Sequence, residues 1–210
     1  MKLLNVLRET TIGRALLAYF FDLPRWTLLN LVFALALAPS LVAALRGETA
    51  LAIALSFPAA LAMAGLVGMF SATVDGTAPR WSHLWARSDI YLVTLSAWGA
   101  CALAALALLT PLLYLVVIPA LILLLVAPLA TLVSAQLRGG VAQAWRNGFV
   151  LAVRYPLVAL GLIVLALVAG WVILYSRGAL LVALPGLWAA IAVYTVDDLI
   201  QSIQQQKNAP

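Results

Sequence analysis

The feature that most constrains this chain is a stretch without charged residues that runs from Ile90 to Leu137. As one α-helix, these 48 residues would measure about 72 Å at 1.5 Å per residue. The hydrocarbon core of a bilayer is ~30 Å thick, and about 20 apolar residues cross it. The stretch must therefore fold back on itself. We predict the break at Thr110 and Pro111, because Thr favours a helix N-cap and Pro the first helical position.

The composition of the whole chain places it in a membrane. Of its 210 residues, 66% are hydrophobic and only 9% are charged, whereas soluble domains carry roughly 25% charged residues. A soluble domain of this size has too little interior to bury so much apolar side chain. The sequence therefore predicts an all-α, polytopic membrane helix bundle with six transmembrane helices and short interfacial amphipathic helices.

Polar connections divide the chain into segments. We predict an interfacial amphipathic helix over 1–24, a six-span transmembrane domain over 25–198 and a polar cytoplasmic tail over 199–210. The predicted spans are 25–45, 49–70, 90–109, 111–136, 156–175 and 179–195.

The distribution of Lys and Arg predicts the orientation. Ten of these twelve cations lie in gaps on one side of the six spans, and only Arg46 and Arg177 lie on the other. Because positive charge favours the cytoplasmic side, we expect both termini in the cytoplasm of a bacterial inner-membrane protein. The cations also stand singly between apolar runs. They therefore predict membrane lipids, and no nucleic acid, as partners.

Aromatic and basic residues next to the spans are candidates for the membrane interface. In the segment "VAQAWRNGFVLAV", apolar residues follow helical spacing, and polar residues fall mostly on the other side. This pattern predicts a short helix lying on the inner leaflet before the fifth span. The predicted interface residues are Trp26, Trp81, Trp85, Arg87, Trp145, Arg146 and Arg154.

Small residues at four-residue spacing are candidates for helix packing, because they let helix backbones approach closely in lipid. Packing within the chain is the first interpretation, and a dimer interface is the alternative. The predicted packing residues are Ala60, Ala64 and Gly68, then Ala97, Cys101 and Ala105, then Ala166 and Gly170, and finally Gly186 and Ala190.

Polar residues in the middle of the spans are few and uncharged. A charged group there would cost ~2.5–3.5 kcal/mol and would mark an ion path or a substrate site. Their absence disfavours an ion-coupled pump and an intramembrane protease. For the mild polar groups we expect helix-to-helix hydrogen bonds. These groups are Asn30, Ser56, Thr94 and Ser96.

The remaining titratable residues predict no enzyme, no metal site and no cofactor. Cys101 is the single cysteine and lies in an apolar run, so it reads as a packing residue. His83, between two tryptophans, is better interpreted as a headgroup contact than as a pigment ligand. Asp197 and Asp198 follow the last span, and we expect an ion pair with a basic residue such as Arg14 or Arg146.

Three segments resemble the YesL-like family of small bacterial membrane proteins. They are "FSATVDGTAPRWSHLWARSD", "AQAWRNGFVLAVRYPLVALGLIVLAL" and "LPGLWAAIAVYTVDDLI". The chain departs from that family's pattern at Ser71, where Pro is expected, and at Gly148, where Ala is usual. The resemblance implies association with carbohydrate-uptake systems of the ABC type and offers no catalytic residue.

Three functional hypotheses follow. The first is a non-catalytic accessory or scaffold subunit that binds other integral membrane subunits, such as a carbohydrate ABC transporter. The second is a permease or lipid-handling protein whose kinked spans two, four and six enclose an apolar cavity. The third is a subunit of a photosynthetic or respiratory complex. The prolines that predict kinks are Pro39, Pro58, Pro119, Pro128 and Pro185.

Overall fold

A computed structural model describes residues 10–108, 113–137, 139–176 and 178–208. In these ranges the protein is all-α, as predicted, with two short 3-10 helices at Trp81–Leu84 and Ala179–Val182. The α-helices are α1 (Thr11–Phe21), α2 (Leu23–Leu45), α3 (Thr49–Leu55), α4 (Phe57–Val74), α5 (Ser88–Leu108), α6 (Leu113–Gln136), α7 (Val141–Arg154), α8 (Pro156–Tyr175) and α9 (Leu184–Asn208).

Five helical stretches within the described ranges are long and apolar enough to cross a membrane. The last helix, α9, is not among them, because its second half is polar. The region of the predicted sixth span is a 3-10 turn followed by the first turns of α9, and α9 continues into the predicted tail as far as Asn208. The five stretches are Leu23–Leu45, Thr49–Val74, Ser88–Ala107, Val117–Gln136 and Pro156–Ile173.

The predicted span boundaries agree closely with helices in several places. The fifth span, 156–175, has the same bounds as α8, and the first begins two residues later than α2. The predicted break at Thr110 and Pro111 lies outside the described residues. Three of the five prolines lie inside unbroken helices, whereas the other two lie where a helix starts anew. Pro39, Pro119 and Pro128 are internal, and Pro58 and Pro185 are second residues of α4 and α9.

The second span is interrupted at Ser56, between α3 and α4. Pro58 has no N–H to donate, so the regular helical bonding ends one turn earlier. The Ser56 hydroxyl donates to the Ile53 carbonyl at 2.6 Å and accepts from the Trp98 indole N–H of α5 at 2.9 Å. The break is therefore closed by side chains of two neighbouring helices.

The core lies where α4 and α9 meet α2, α5 and α6. Trp26 is fully buried there and stacks on Phe70, with ring centroids 3.9 Å apart. Its indole N–H donates to the Ala18 carbonyl of α1. The ring of Trp26, which was predicted as an interface residue, is therefore enclosed by protein. The largest fully buried side chains are Trp26, Phe70, Leu66, Met69, Ile90, Leu129, Leu132, Val67, Val93, Val133, Val193 and Val196.

Helix α7 packs on α5 and α6. A Cβ built on Gly148 would lie 2.7 Å from the Ala130 backbone nitrogen of α6, so the two backbones are in direct contact. The Trp145 indole N–H donates to the Ser96 hydroxyl of α5 at 2.9 Å. The polar face of α7 remains exposed at Arg146. Glycine at 148 is thus what lets α7 approach this closely.

Replacing Gly148 with Ala tests this contact. We expect Gly148→Ala to lower the free energy of unfolding by about 1–3 kcal/mol, because the methyl group would collide with backbone that cannot move aside. Thermal unfolding in detergent, followed by circular dichroism, measures the change. Gly161→Ala is the control, since no described heavy atom lies within 4 Å of its added Cβ. Equal stability of the two variants would contradict the close approach.

Candidate functional site

A concave feature among the described residues is an apolar groove of about 930 Å³. It lies between the second half of α2, the second half of α8 and the turn that leads into α9, and every lining residue is apolar. We call it the α2–α8 groove. It is lined by Phe33, Leu37, Leu41, Leu45, Met63, Ala166, Leu167, Ala169, Gly170, Trp171, Ile173, Gly178, Leu181, Leu184, Pro185 and Trp188.

The groove exists because α8 packs loosely on the rest of the chain. Only 11% of the 18-residue apolar stretch of α8 is buried, against 22–50% of the corresponding stretches in the other four membrane-length helices. Its groove side carries the small residues Ala166, Ala169 and Gly170. A Cβ added to Gly170 would meet no described heavy atom within 4 Å. Because these side chains are small and no described helix packs against them, the space beside α8 stays open as the groove.

The first residues of α9, Leu184 and Pro185, line the groove. Helix starts leave backbone N–H groups without partners inside the helix. Here the Gly186 N–H donates to Asn30 Oδ1 at 2.7 Å, and Asn30 Nδ2 donates to the Tyr19 hydroxyl at 3.1 Å. The Tyr19 hydroxyl in turn donates to the Ala183 carbonyl at 3.0 Å. Side chains of α1 and α2 therefore complete the hydrogen bonding of the α9 start.

This polar network is closed to solvent and tightly fitted. Asn30 has no exposed surface. A Cβ on Gly186 would lie 2.7 Å from Asn30 Nδ2 and 3.1 Å from Tyr19 Cε2, so position 186 has room only for glycine. In hydrocarbon, an unsatisfied backbone group costs several kcal/mol. The network thus allows the chain to begin a helix in apolar surroundings.

The indole of Trp188, also on α9, lines the groove as well. Its N–H donates to the Leu162 carbonyl of α8 at 3.1 Å, so the polar atom of this ring is already paired. The same bond ties α9 to α8. The groove therefore offers a ligand hydrocarbon contacts, with no free side-chain donor among the lining residues described.

A charged cluster joins α1 to the second half of α9. Arg14 forms a salt bridge with Asp198, and Thr11 donates a hydrogen bond to the same carboxylate. The bond to Asp198 raises the pKa of Arg14 above its ordinary value. The predicted ion pair is therefore present, with Arg14 as its basic member.

The adjacent carboxylate, Asp197, has a different environment. It is almost buried and accepts a hydrogen bond from the Gln201 amide at 2.7 Å. Burial raises the pKa of Asp197, and the nearby charges of Asp198 and Asp75 raise it further. A buried carboxylate of this kind prefers its neutral form at higher pH than a solvated one.

The predicted interface residues are divided between protein contacts and open surface. Trp85 is 76% exposed and stacks on Tyr91, and Trp81 is also exposed. Arg146 and Arg154 are exposed on α7. The side chains of these four residues are exposed, and Arg154 lies over the ring of Tyr155.

Arg87 is used inside the protein. Its guanidinium donates to the Ala135 carbonyl at 3.1 Å and to the Ser134 carbonyl, both at the end of α6. It also pairs with Asp89 at 2.7 Å. Cations near a helix C-terminus satisfy its free carbonyl groups. Arg87 therefore acts as the C-terminal cap of α6 supplied by the start of α5.

The predicted packing residues fall into two groups. Those of α4, α5 and α9 lie in packed regions; Gly68 approaches the His83 carbonyl and Ile90, for example. Those of α8 do not pack on a described helix but line the groove. Ala64, Ala97, Gly186 and Ala190 are buried and Ala60, Cys101 and Ala105 are half-buried, whereas Ala166 and Gly170 line the groove.

Sequence reasoning found part of the network at the α9 start. Asn30, Ser56 and Ser96 make the expected bonds between helices. The prediction is wrong for Thr94, whose buried hydroxyl has no partner among the described residues. Sequence reasoning did not predict the hydrogen bonds of Tyr19 or the position of the groove. Neither the partner of a tyrosine hydroxyl nor an unfilled space between helices has a sequence pattern.

Comparison with protein-family models, with curated proteins and with solved structures finds no match to this chain.

Breaking the network at the α9 start should destabilise the protein. Asn30→Leu would leave the Gly186 N–H without its acceptor, and we expect a loss of about 1–3 kcal/mol in the free energy of unfolding. Tyr19→Phe should act in the same direction, since Asn30 Nδ2 loses its acceptor and the Ala183 carbonyl keeps only the Leu187 N–H as donor. Tyr175→Phe, at an exposed ring, is the matched control. If thermal unfolding shows the same stability for Tyr19→Phe and Tyr175→Phe, the result would contradict a stabilising role of the network.

The environment of Asp197 predicts a pH dependence. Because its pKa is raised in the folded state, the folded protein binds more protons than the unfolded chain above the ordinary Asp pKa of about 3.9. Stability should therefore fall as pH rises through that window. Asp197→Asn should remove this decline in unfolding measurements between pH 4 and 7. Glu48→Gln, at an exposed carboxylate, should retain it. An unchanged slope in Asp197→Asn would contradict the prediction.

Proposed function

We propose that this protein is a non-catalytic accessory or scaffold subunit of a bacterial inner-membrane complex. It would cross the bilayer six times, with both termini in the cytoplasm. The sixth crossing would consist of the 3-10 turn Ala179–Val182 and the first half of α9. The bond from Gly186 to Asn30 supports this assignment, because it pairs a backbone N–H that such a broken span leaves free.

The contact between the first and last described helices supports an even number of crossings. Arg14 of α1 contacts Asp198 of α9, so the first and last described helices meet at one end of the molecule. Arg25, at the start of α2, donates to the Pro79 carbonyl in the connection after α4. That connection belongs to the side where ten of the twelve cations lie in the sequence. This is the side that the distribution of Lys and Arg assigns to the cytoplasm.

The observation that carries the accessory role is the outward face of α8. Its large side chains follow one another at three- and four-residue spacing along the whole helix, and they are exposed. At one end of this face, the rings of Trp171 and Tyr175 stack at 5.6 Å. Such a face fits a partner transmembrane helix, which packs through repeated side-chain contacts. The face consists of Leu157, Leu160, Val164, Val168, Trp171 and Tyr175.

Site-specific photocrosslinking in native membranes tests this role. A photoreactive residue at Val168 should form a discrete adduct with another integral membrane protein. The same residue at Leu103, an exposed position of α5, is the control and should not form that adduct. The resemblance to the YesL-like family makes a carbohydrate ABC transporter the first partner to look for. Identical products from both positions would argue against a docking face on α8.

The α2–α8 groove favours a second candidate function, the handling of lipids. We predicted a cavity enclosed by spans two, four and six, whereas the groove lies mainly between spans one, five and six. The groove is formed by α2, α8 and the region of α9, with Met63 as the contribution of α4. Its apolar lining suits an acyl chain. The groove and the outward face of α8 share Trp171, and the other five residues of that face do not line the groove.

A further inference from the structure

We propose that one face of α7 binds anionic phospholipids, with its two arginines contacting the headgroups and the apolar side chains between them entering the hydrocarbon. We call this the arginine-flanked face of α7, and it consists of Arg146, Phe149, Val150, Val153 and Arg154. The inference goes beyond the accessory and lipid-handling functions, because it uses neither the outward face of α8 nor the α2–α8 groove.

The five residues form one continuous side of the helix. Counted from Arg146, they stand at i, i+3, i+4, i+7 and i+8, the spacing that places side chains on a single face of an α-helix. The buried residues of α7 lie on the opposite side, where Gly148 approaches the Ala130 backbone of α6. Packing of α7 on α5 and α6 therefore turns the arginine-flanked face away from the protein.

The middle of this face is apolar and exposed. The exposed fractions of Phe149, Val150 and Val153 are 50%, 51% and 66%. The sequence pattern had placed mostly polar residues on the side away from the core, and the structure shows three large apolar side chains there. Such side chains are stabilised when they leave water for an apolar environment.

The position of α7 in the chain brings this face close to hydrocarbon. The helix follows the membrane-length stretch Val117–Gln136 and precedes the stretch Pro156–Ile173. In a bilayer, α7 would therefore lie near the level at which these two helices leave the hydrocarbon core. A helix at this level can bury an apolar face at the boundary between acyl chains and headgroups.

The arginines at the two ends of the face carry unbalanced charge. Arg146 and Arg154 are exposed, and neither forms a salt bridge with a described residue. Arg14, Arg25 and Arg87, in contrast, are each paired with an aspartate. The structure thus separates arginines that are neutralised within the protein from two that are not.

The sequence around α7 supplies no counter-charge. No acidic residue occurs between Asp89 and Asp197, a range that includes the whole of α6, α7 and α8. The guanidinium of Arg154 lies 5.6 Å from the centre of the Tyr155 ring, and this cation–π contact leaves its positive charge in place. A negative partner for this face therefore has to come from outside these helices.

An anionic membrane surface matches both properties of the face. Arginine binds phosphate through paired, charge-assisted hydrogen bonds, and basic residues near a bilayer attract lipids with net negative charge. The acyl chains of the same lipids can cover the apolar side chains between the arginines. A soluble acidic protein would supply charge without hydrocarbon. In the orientation proposed above, these lipids belong to the inner leaflet.

Quenching of a local reporter tests the proposal on the full chain in vesicles. A fluorescent residue replaces Val153, and the vesicles contain equal amounts of phosphatidylglycerol and phosphatidylcholine. Brominated acyl chains, which quench the reporter on contact, are placed on one lipid or on the other. We expect stronger quenching when phosphatidylglycerol carries the bromine. The same reporter at Leu103, an exposed position in the uncharged run of α5, should be quenched equally by both lipids.

Substitutions of the arginines identify the source of the preference. Arg146→Gln and Arg154→Gln should each lower the relative affinity for phosphatidylglycerol at position 153 about fivefold. Arg146→Lys should keep most of it, because the charge remains. Arg46→Gln, which removes an exposed cation from the connection between α2 and α3, should leave it unchanged. Circular dichroism of each variant confirms that it is folded before the comparison is made.

Three results would overturn the inference. Equal quenching by the two lipids at position 153 would refute the preference for anionic headgroups. A preference that survives both glutamine substitutions would show that the arginines do not cause it. A reporter that neither brominated lipid quenches would place the face in water or against a protein. None of these results bears on the docking face of α8, which the photocrosslinking at Val168 tests separately.

Discussion

The structure depends on the pairing of backbone groups where its helices are interrupted. Within a helix every N–H and carbonyl finds a partner, but each break exposes groups that apolar surroundings cannot satisfy. At the α3–α4 break the partners are Ser56 and Trp98. At the start of α9 they are Tyr19 and Asn30. Helices distant in sequence are therefore held together at the points where the chain deviates from regular helix.

The same constraint positions the candidate site. Because the α9 helix starts beside Asn30, the chain between α8 and α9 has to return as a short 3-10 turn. This turn and the start of α9 form one wall of the groove, while α2 and the loosely packed α8 form the others. The groove is thus a consequence of a broken helix next to a helix with small side chains. The cap that Arg87 provides for α6 follows the same rule at another helix end.

Hydropathy predicted the helices well and their environment less well. The bounds of α8 were predicted because an uncharged apolar run allows no other structure in lipid. The burial of Trp26 was not predicted, because tryptophan is amphipathic and only its neighbours determine whether its ring meets headgroups or Phe70. The buried Trp26 and the exposed Trp81 both follow Pro-Arg in the sequence. The partners of Asn30 could not be named in advance, since they come from α1 and α9, 11 and 156 residues away.

The sequence by itself determined that the chain is helical, that its helices are apolar, and that Arg46 and Arg177 stand apart from the other cations. These properties follow from side-chain chemistry summed along short stretches. Only the tertiary structure decided which small residues are packed and which line an open groove. Ala64 and Ala166 carry the same methyl group, and one is buried while the other faces empty space. The difference lies in whether another helix is placed against them, and that depends on contacts between residues far apart in the chain.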